Sequence, residues 1–180
     1  MNFPILSFLI LLPAVGALFL FFTRSNKENN ITVKYVALFT SLVNFFLSVY
    51  LWILFDQSTS EFQFVEDRVW IKDLINYKVG IDGISILFII LTTFITPLCI
   101  ISVNNSIKNR LSEFLIAILI MESFMIGVFC SLDLVVFYLF FEAGLIPMFL
   151  IIGIWGGARR VYSAFKFFLF TLLGLSLIHI

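Results

Sequence analysis

The chain has 180 residues, 62% of them hydrophobic and 12% charged, with a formal net charge of zero and a mean hydropathy of +1.13. Soluble domains are nearer half apolar and a quarter charged, so this balance excludes that class and points to a polytopic membrane protein. With neither net positive charge nor a basic cluster, the chain is not built to bind nucleic acid.

Met1 and Asn2 lead straight into an apolar stretch with no positive region and no small-residue cleavage site. That predicts a retained first helix rather than a cleaved signal peptide. The first helix is expected over Phe3–Phe22, with Pro13 in its interior as a possible kink. The loop Thr23–Thr32 carries Arg24, Lys27 and Glu28, and a second helix follows over Val33–Phe55. The polar segment Asp56–Gly80 holds Asp56, Glu61, Glu66, Asp67 and Asp73. Within it, Arg68–Leu74 mixes Val69, Trp70 and Ile71 with charges and is expected at the membrane interface. A third helix spans Ile84–Ser102. It contains Pro97, whose loosened backbone Thr92, Thr93 and Thr96 are placed to serve.

The loop Val103–Arg110 holds Lys108 and Arg110, and a fourth helix runs Leu111–Cys130. Only Ser131–Asp133 separates it from the fifth, which forces an antiparallel helical hairpin. The fifth helix ends near Ile154, before a basic turn of Gly156, Gly157, Arg159 and Arg160. A sixth starts near Val161 and is still running at the last residue. The fold class is therefore all-α, a polytopic transmembrane protein of about six spans with the last one truncated. Loops one, three and five are basic and loops two and four carry acids. By the positive-inside rule this places the N-terminus on the non-cytoplasmic side and Arg159 and Arg160 on the cytoplasmic side.

Glu142 stands near the middle of DLVVFYLFFEAGLIPMFLIIGIW (Asp133 to Trp155), a stretch long enough to cross a bilayer. A carboxyl group there costs about 3 kcal/mol on insertion scales, and intramembrane acids mark ion pathways. Pro147 leaves the carbonyl of Ala143 without its helical donor, and Gly144 lies between. These features predict a proton-carrying site at Glu142. Glu122 is ten residues before Leu132 and Glu142 ten after it. With Leu132 at the turn, both acids lie at one depth, about 12 Å inside the interface at 1.5 Å per residue. Whether they face each other depends on helix rotation. For Glu122 a relay and a hydrogen-bonded packing role both stand open. Glu113 and Asp133, near helix ends, are read as solvated at the interface. Lys166 is the one cation well inside an apolar segment; it either snorkels or acts as a relay group tuning a carboxylate. Cys99 and Cys130 lack metal or redox spacing and are read as small core residues. No dinucleotide, phosphate-loop, haem or iron–sulfur motif occurs, so any redox chemistry belongs to partners.

The runs LFFEAGLIPMFLIIGIWGG and YSAFKFFLFTLLG resemble the antiporter-like, proton-pumping subunit M family of NADH-quinone oxidoreductase, termed chain 4 in mitochondria. VGIDGISILFIILTTFITPLCI and MIGVFCSLDLVVFYLFFE are similar to the same family. The resemblance implies a 14-helix subunit of respiratory complex I, of which this chain is about the first third. It implies that Glu142 is the family's fifth-helix channel glutamate, that Lys166 matches a sixth-helix lysine, and that the glutamate's usual lysine partner lies on helix seven. Glu122 matches a residue that some members share. Residues 1–110 are expected to form an N-terminal three-helix unit, and 111–180 the start of the proton-translocating repeat. After Gly174 the sequence leaves the family pattern, so residues 175–180 need not be native and His179 is not a site.

The implied function is proton pumping through a buried glutamate, driven by NADH oxidation and quinone reduction in other subunits. The implied cofactors of the assembled complex are NADH, FMN, iron–sulfur clusters and quinone, with none in this chain. The implied partners are the other membrane subunits and the lipid of a bacterial or mitochondrial inner membrane. The alternatives are a subunit of a multisubunit cation/proton antiporter, which resembles this family closely, and a membrane scaffold whose acids serve only packing.

Overall fold

The computed structural model describes residues 4–23, 30–59, 61–71, 75–103, 107 and 110–176. Six helices run in chain order: α1 (Ile5–Thr23), α2 (Asn30–Leu54), α3 (Ser85–Ser102), α4 (Leu111–Cys130), α5 (Leu134–Trp155) and α6 (Arg160–Ser176). The first five are long and apolar enough to cross a bilayer. The chain is a helical, multi-pass membrane protein, as its composition requires, and the helix limits fall within a few residues of those expected from sequence.

Between α2 and α3 the fold adds an element that composition concealed. Strands β1 (Gln63–Ile71) and β2 (Ile75–Ile81) form an antiparallel hairpin, pairing Glu66 with Val79, Asp67 with Lys78 and Arg68 with Tyr77. Arg68 is thus a strand residue; Lys72–Leu74, also expected at the interface, lie outside the described residues. In β2 the apolar residues Ile75, Tyr77, Val79 and Ile81 alternate with Asn76, Lys78 and Gly80, the period of a half-covered strand.

The hairpin is tied to the bundle at two points. Glu66 Oε1 accepts from the backbone N–H of Leu6 at 2.8 Å and of Ser7 at 3.3 Å, while Ser7 Oγ donates to Oε2. A carboxylate from a distant strand thereby caps the N-terminus of α1, where helical amides have no upstream carbonyl. On the other strand, Lys78 O accepts from Leu132 N at 3.0 Å and Val79 bridges Ser131, which seats the α4–α5 link on β2. Gly80 permits this approach, since a Cβ there would lie 2.7 Å from Leu132 Cδ1. The start of α1, the hairpin and the α4–α5 link therefore share one end of the molecule, as successive crossings demand.

Helix α4 is the centre of the bundle, packing on α1, α2, α3 and α5. Half of its span is buried, against 17% of the α5 span. The core is layered. At the hairpin end, Leu6, Leu9, Leu51, Ile81, Ile86, Ile89 and Ile126 form one apolar cluster. At the other, Ala17, Leu20, Val33, Ala37, Ile100, Leu115 and Leu119 form a second. Between them in sequence on α2, α3 and α4 lie the buried polar residues Ser41, Asn44, Ser48, Thr93, Thr96, Glu122 and Ser123.

Two of the loop acids, Asp133 and Asp82, serve helix starts. Asp133 accepts from Val135 N at 2.8 Å and Val136 N at 3.2 Å at the start of α5, a more specific task than interfacial solvation. Asp82 accepts from Ser85 N at 2.7 Å ahead of α3, and hydrogen bonding from the Ser85 side chain, then from its backbone N–H, holds the Asp82 carboxyl below the ordinary range. Around Pro97, Thr92, Thr93 and Thr96 bond back to the carbonyls of Phe88, Ile89 and Thr92. They serve the turn upstream, not the Thr93 carbonyl that the proline deprives.

Candidate functional site

Glu142 lies half-buried on α5, and the hydroxyl of Tyr138, one turn earlier, donates to its Oε1. The helix stays continuous through Pro147. Its direction around α5 follows from the neighbours. Phe140 packs on α4, its ring so placed that a Cβ on Gly127 would meet it at 2.6 Å, and Gly144 faces Phe124. On the opposite side, Phe149 meets Phe165 and Phe168 of α6 with ring centroids 5.3 and 5.7 Å apart, and Gly153 approaches Ala164. Glu142 is two residues from Phe140, about 200° around the helix at 3.6 residues per turn, and seven from Phe149, within about 20° of it. It therefore stands on the stripe of α5 that continues toward α6, not on the face that meets α4.

Glu122 is only 2% exposed and accepts a hydrogen bond from Asn44 Nδ2 on α2 at 2.9 Å. The face of α4 that meets α5 carries Ala117, Ile120 and Phe124, which share a cleft with Ala143 and Pro147. Glu122, two residues from Phe124, points about 200° away from that face. The opposing residues Gly127 and Phe140, and Phe124 and Gly144, put the two acids within about one turn in depth, as their spacing from Leu132 predicts. They nevertheless lie on opposite sides of the α4–α5 contact. The fold aligns them in height and separates them in direction.

Lys166 is exposed on α6. The pairing of Gly153 with Ala164 puts it roughly nine residues from the depth of Glu142, about 13 Å along the axis at 1.5 Å per residue. It lies about 200° around α6 from Ala164, away from α5. Lys166 and Glu142 are thus not brought together within this chain. His179 lies outside the described residues.

The sequence reading missed the partners of Glu122. Ser41, Asn44 and Ser48 are each 0% exposed and recur at spacings of three and four on one face of α2. Ser48 Oγ lies 2.7 Å from Thr93 Oγ1 of α3, and Ser123 Oγ donates to Ile10 O of α1 at 2.6 Å. This run of small polar residues at helical spacing, deep in a membrane-spanning helix, was the available signal. Among the described residues no group of three or more His, Cys, Asp or Glu side chains is arranged to hold a metal ion.

Residues 131–179, which include Glu142 and Lys166, match the family described as NADH:quinone oxidoreductase/Mrp antiporter, TM. A NADH-quinone oxidoreductase subunit M from Rhodobacter capsulatus is 60% identical over 141 residues, covering 78% of this chain and 27% of that protein. Its counterpart in Rickettsia conorii is 46% identical over 189 residues, covering 100% of this chain and 38% of that protein. The NADH-ubiquinone oxidoreductase chain 4 of Marchantia polymorpha is 48% identical over 171 residues, covering 94% and 34%. The chain spans about a third of the length of these relatives.

Proposed function

We propose that this chain, a homologue of NADH-quinone oxidoreductase subunit M and NADH-ubiquinone oxidoreductase chain 4, forms part of a proton-translocating membrane subunit of that complex. Glu142 is its proton-carrying group. The single observation that carries this reading is a carboxyl group mid-way along a membrane-spanning helix, inside the region that matches the family. Desolvation makes such a group unfavourable without a use, and charge movement is the commonest use.

In this reading NADH, FMN, iron–sulfur clusters and quinone belong to partner subunits, and electron transfer there changes the field at Glu142. Three features suit the residue to the task. It lies on the outer helix pair rather than in the sealed core. The Tyr138 hydroxyl steadies its carboxylate. Pro147, five residues on, weakens the adjoining turn of α5. Lys166, turned from α5, serves as a cation toward groups beyond the α5–α6 contact and not as a direct partner of Glu142. Residues 111–180 form the start of the translocating repeat, attached to the three-helix unit 1–110. The alternation of basic and acidic loops supports a non-cytoplasmic N-terminus in a bacterial or mitochondrial inner membrane.

The test is Glu142→Gln in the full-length subunit within the assembled complex, with NADH-driven acidification followed in membrane vesicles. Loss of pumping is expected; pumping and quinone reduction at wild-type rates would overturn the assignment. The matched family also takes in Mrp antiporters, which supports a second reading as an antiporter subunit. Purification separates the two. A flavin- and iron–sulfur-containing particle supports the oxidoreductase, and a particle that exchanges cations for protons without them supports the antiporter.

A further inference from the structure

Asn44 and Glu122 join α2 to α4 through one hydrogen bond, from Asn44 Nδ2 to Glu122 Oε1 at 2.9 Å. The other oxygen of each side chain, Asn44 Oδ1 and Glu122 Oε2, is sealed from solvent and has no hydrogen-bond partner among the described residues. The two orphans are therefore the remaining atoms of the same pair. With the carboxyl group ionised, both are acceptors, and each buried unsatisfied group costs about 1–3 kcal/mol.

Among the described residues the neighbouring hydroxyls are already engaged. Ser41 already donates to Leu38 O, Ser48 to Phe45 O, and Ser123 to Ile10 O. Thr93 bonds Ile89 O and faces Ser48. Nor do the packed helices and strand supply a counter-charge. Helix α1 has no titratable side chain, and α3 has only Cys99. Lys34 of α2 lies ten residues from Asn44, about 15 Å along the axis. Tyr138 and Glu142 of α5 are beyond the opposite face of α4, and Tyr77 and Lys78 of β2 lie in the hairpin outside the spans.

We propose that Glu122 holds a proton on Oε2 and donates it to Asn44 Oδ1, closing a neutral acid–amide ring that clamps α2 to α4. One hydrogen satisfies both orphaned atoms and removes the need for a buried counter-ion. Glu122 is then a proton-binding site whose proton is structural, a positioning residue separate from the exchanging site at Glu142. The inference rests on burial and hydrogen-bond valence alone and stands whether or not the chain pumps protons.

The experiment uses the full chain reconstituted in lipid bilayers. Carbon-13 labelling of the glutamate carboxyl groups, read by solid-state NMR and infrared spectroscopy, should show a protonated carbonyl across neutral and mildly alkaline pH. That signal should disappear in Glu122→Gln. An ionised carboxylate at position 122 at neutral pH would overturn the proposal, and the wild-type NMR assignment reads this with no substitution at all. Conservative replacement gives a second readout. Glu122→Gln keeps the ring, with its amide N–H in place of the acid O–H, and should unfold within about 2 °C of wild type. Glu122→Ala and Asn44→Ala leave one buried partner unsatisfied and should unfold roughly 5–10 °C lower for a chain of this size. A Gln variant as damaged as the Ala variant would also overturn it.

Discussion

Removing the carboxylate of Glu66 should release the first turn of α1, 60 residues away in sequence. The amides of Leu6 and Ser7 stand in the opening turn of the helix, where no carbonyl one turn upstream serves them, and in this fold both donate to Glu66 Oε1. Their protection from exchange therefore comes from a single side chain. Loss of a capping oxygen costs about 0.5–2 kcal/mol, and the charge acting on the helix dipole adds up to about 1 kcal/mol. Glu66→Ala should thus weaken local closure by about 2 kcal/mol, which raises the open fraction roughly 30-fold. Glu66→Gln retains an acceptor and loses the charge, so its effect should be the smaller. The assay is hydrogen–deuterium exchange in lipid nanodiscs, resolved at Leu6 and Ser7 and at the hairpin amides. Faster exchange at α1 together with the hairpin is expected, in the order Ala above Gln above wild type. Unchanged exchange at Leu6 and Ser7 in the Ala variant would refute the cap.

Two further outcomes follow from local geometry. Asp82→Ala should cost about 1 kcal/mol at neutral pH by removing the α3 cap. Because the folded carboxyl lies below its ordinary range, the contribution is present above the unfolded pKa and is lost as pH falls through the folded one. The difference between variant and wild type should therefore close on acidification, as thermal unfolding in detergent across pH would show. Gly127→Ala should destabilise by about 1–3 kcal/mol, since the added methyl meets three ring atoms of Phe140 within 2.8 Å. Combining it with Phe140→Ala should return part of that loss, read as a partial recovery of the unfolding temperature.

The helices were legible because a span needs a long apolar run and each run is bounded by charge or glycine. The α4–α5 hairpin was legible because three residues leave no other path. The β-hairpin was not, although Ile75, Tyr77, Val79 and Ile81 alternate cleanly, because the charges of Asp56–Gly80 fit a solvated loop as well as a strand pair. The cap by Glu66 could not have been read, since nothing local distinguishes that acid from Glu61 or Asp67. Depth was legible for Glu122 and Glu142, being a count along the chain. Direction was not, because it is set by which neighbours claim the small residues, Gly127 for Phe140 and Gly153 for Ala164.

Direction is what gives two residues at one depth unequal surroundings. In a bilayer, apolar helices gain little from one another that lipid does not also offer, so hydrogen bonds and close packing must set their alignment. The buried polar residues of α2, α3 and α4 meet this need between two apolar clusters, and α4 contributes Glu122 to it because that side chain turns inward. Helix α5 contributes no residue to this buried polar layer among the described residues. Its α4-facing side is filled by Phe140 against Gly127, which obliges Glu142, two residues on, to turn the other way. A carboxyl sealed in the alignment layer can exchange its proton only by parting α2 from α4. One on the outer pair can do so by a local change at a turn already weakened by Pro147. The same bundle thus surrounds Glu122 with buried partners and leaves Glu142 half-buried on the outer pair, the difference that the proposed roles rest on.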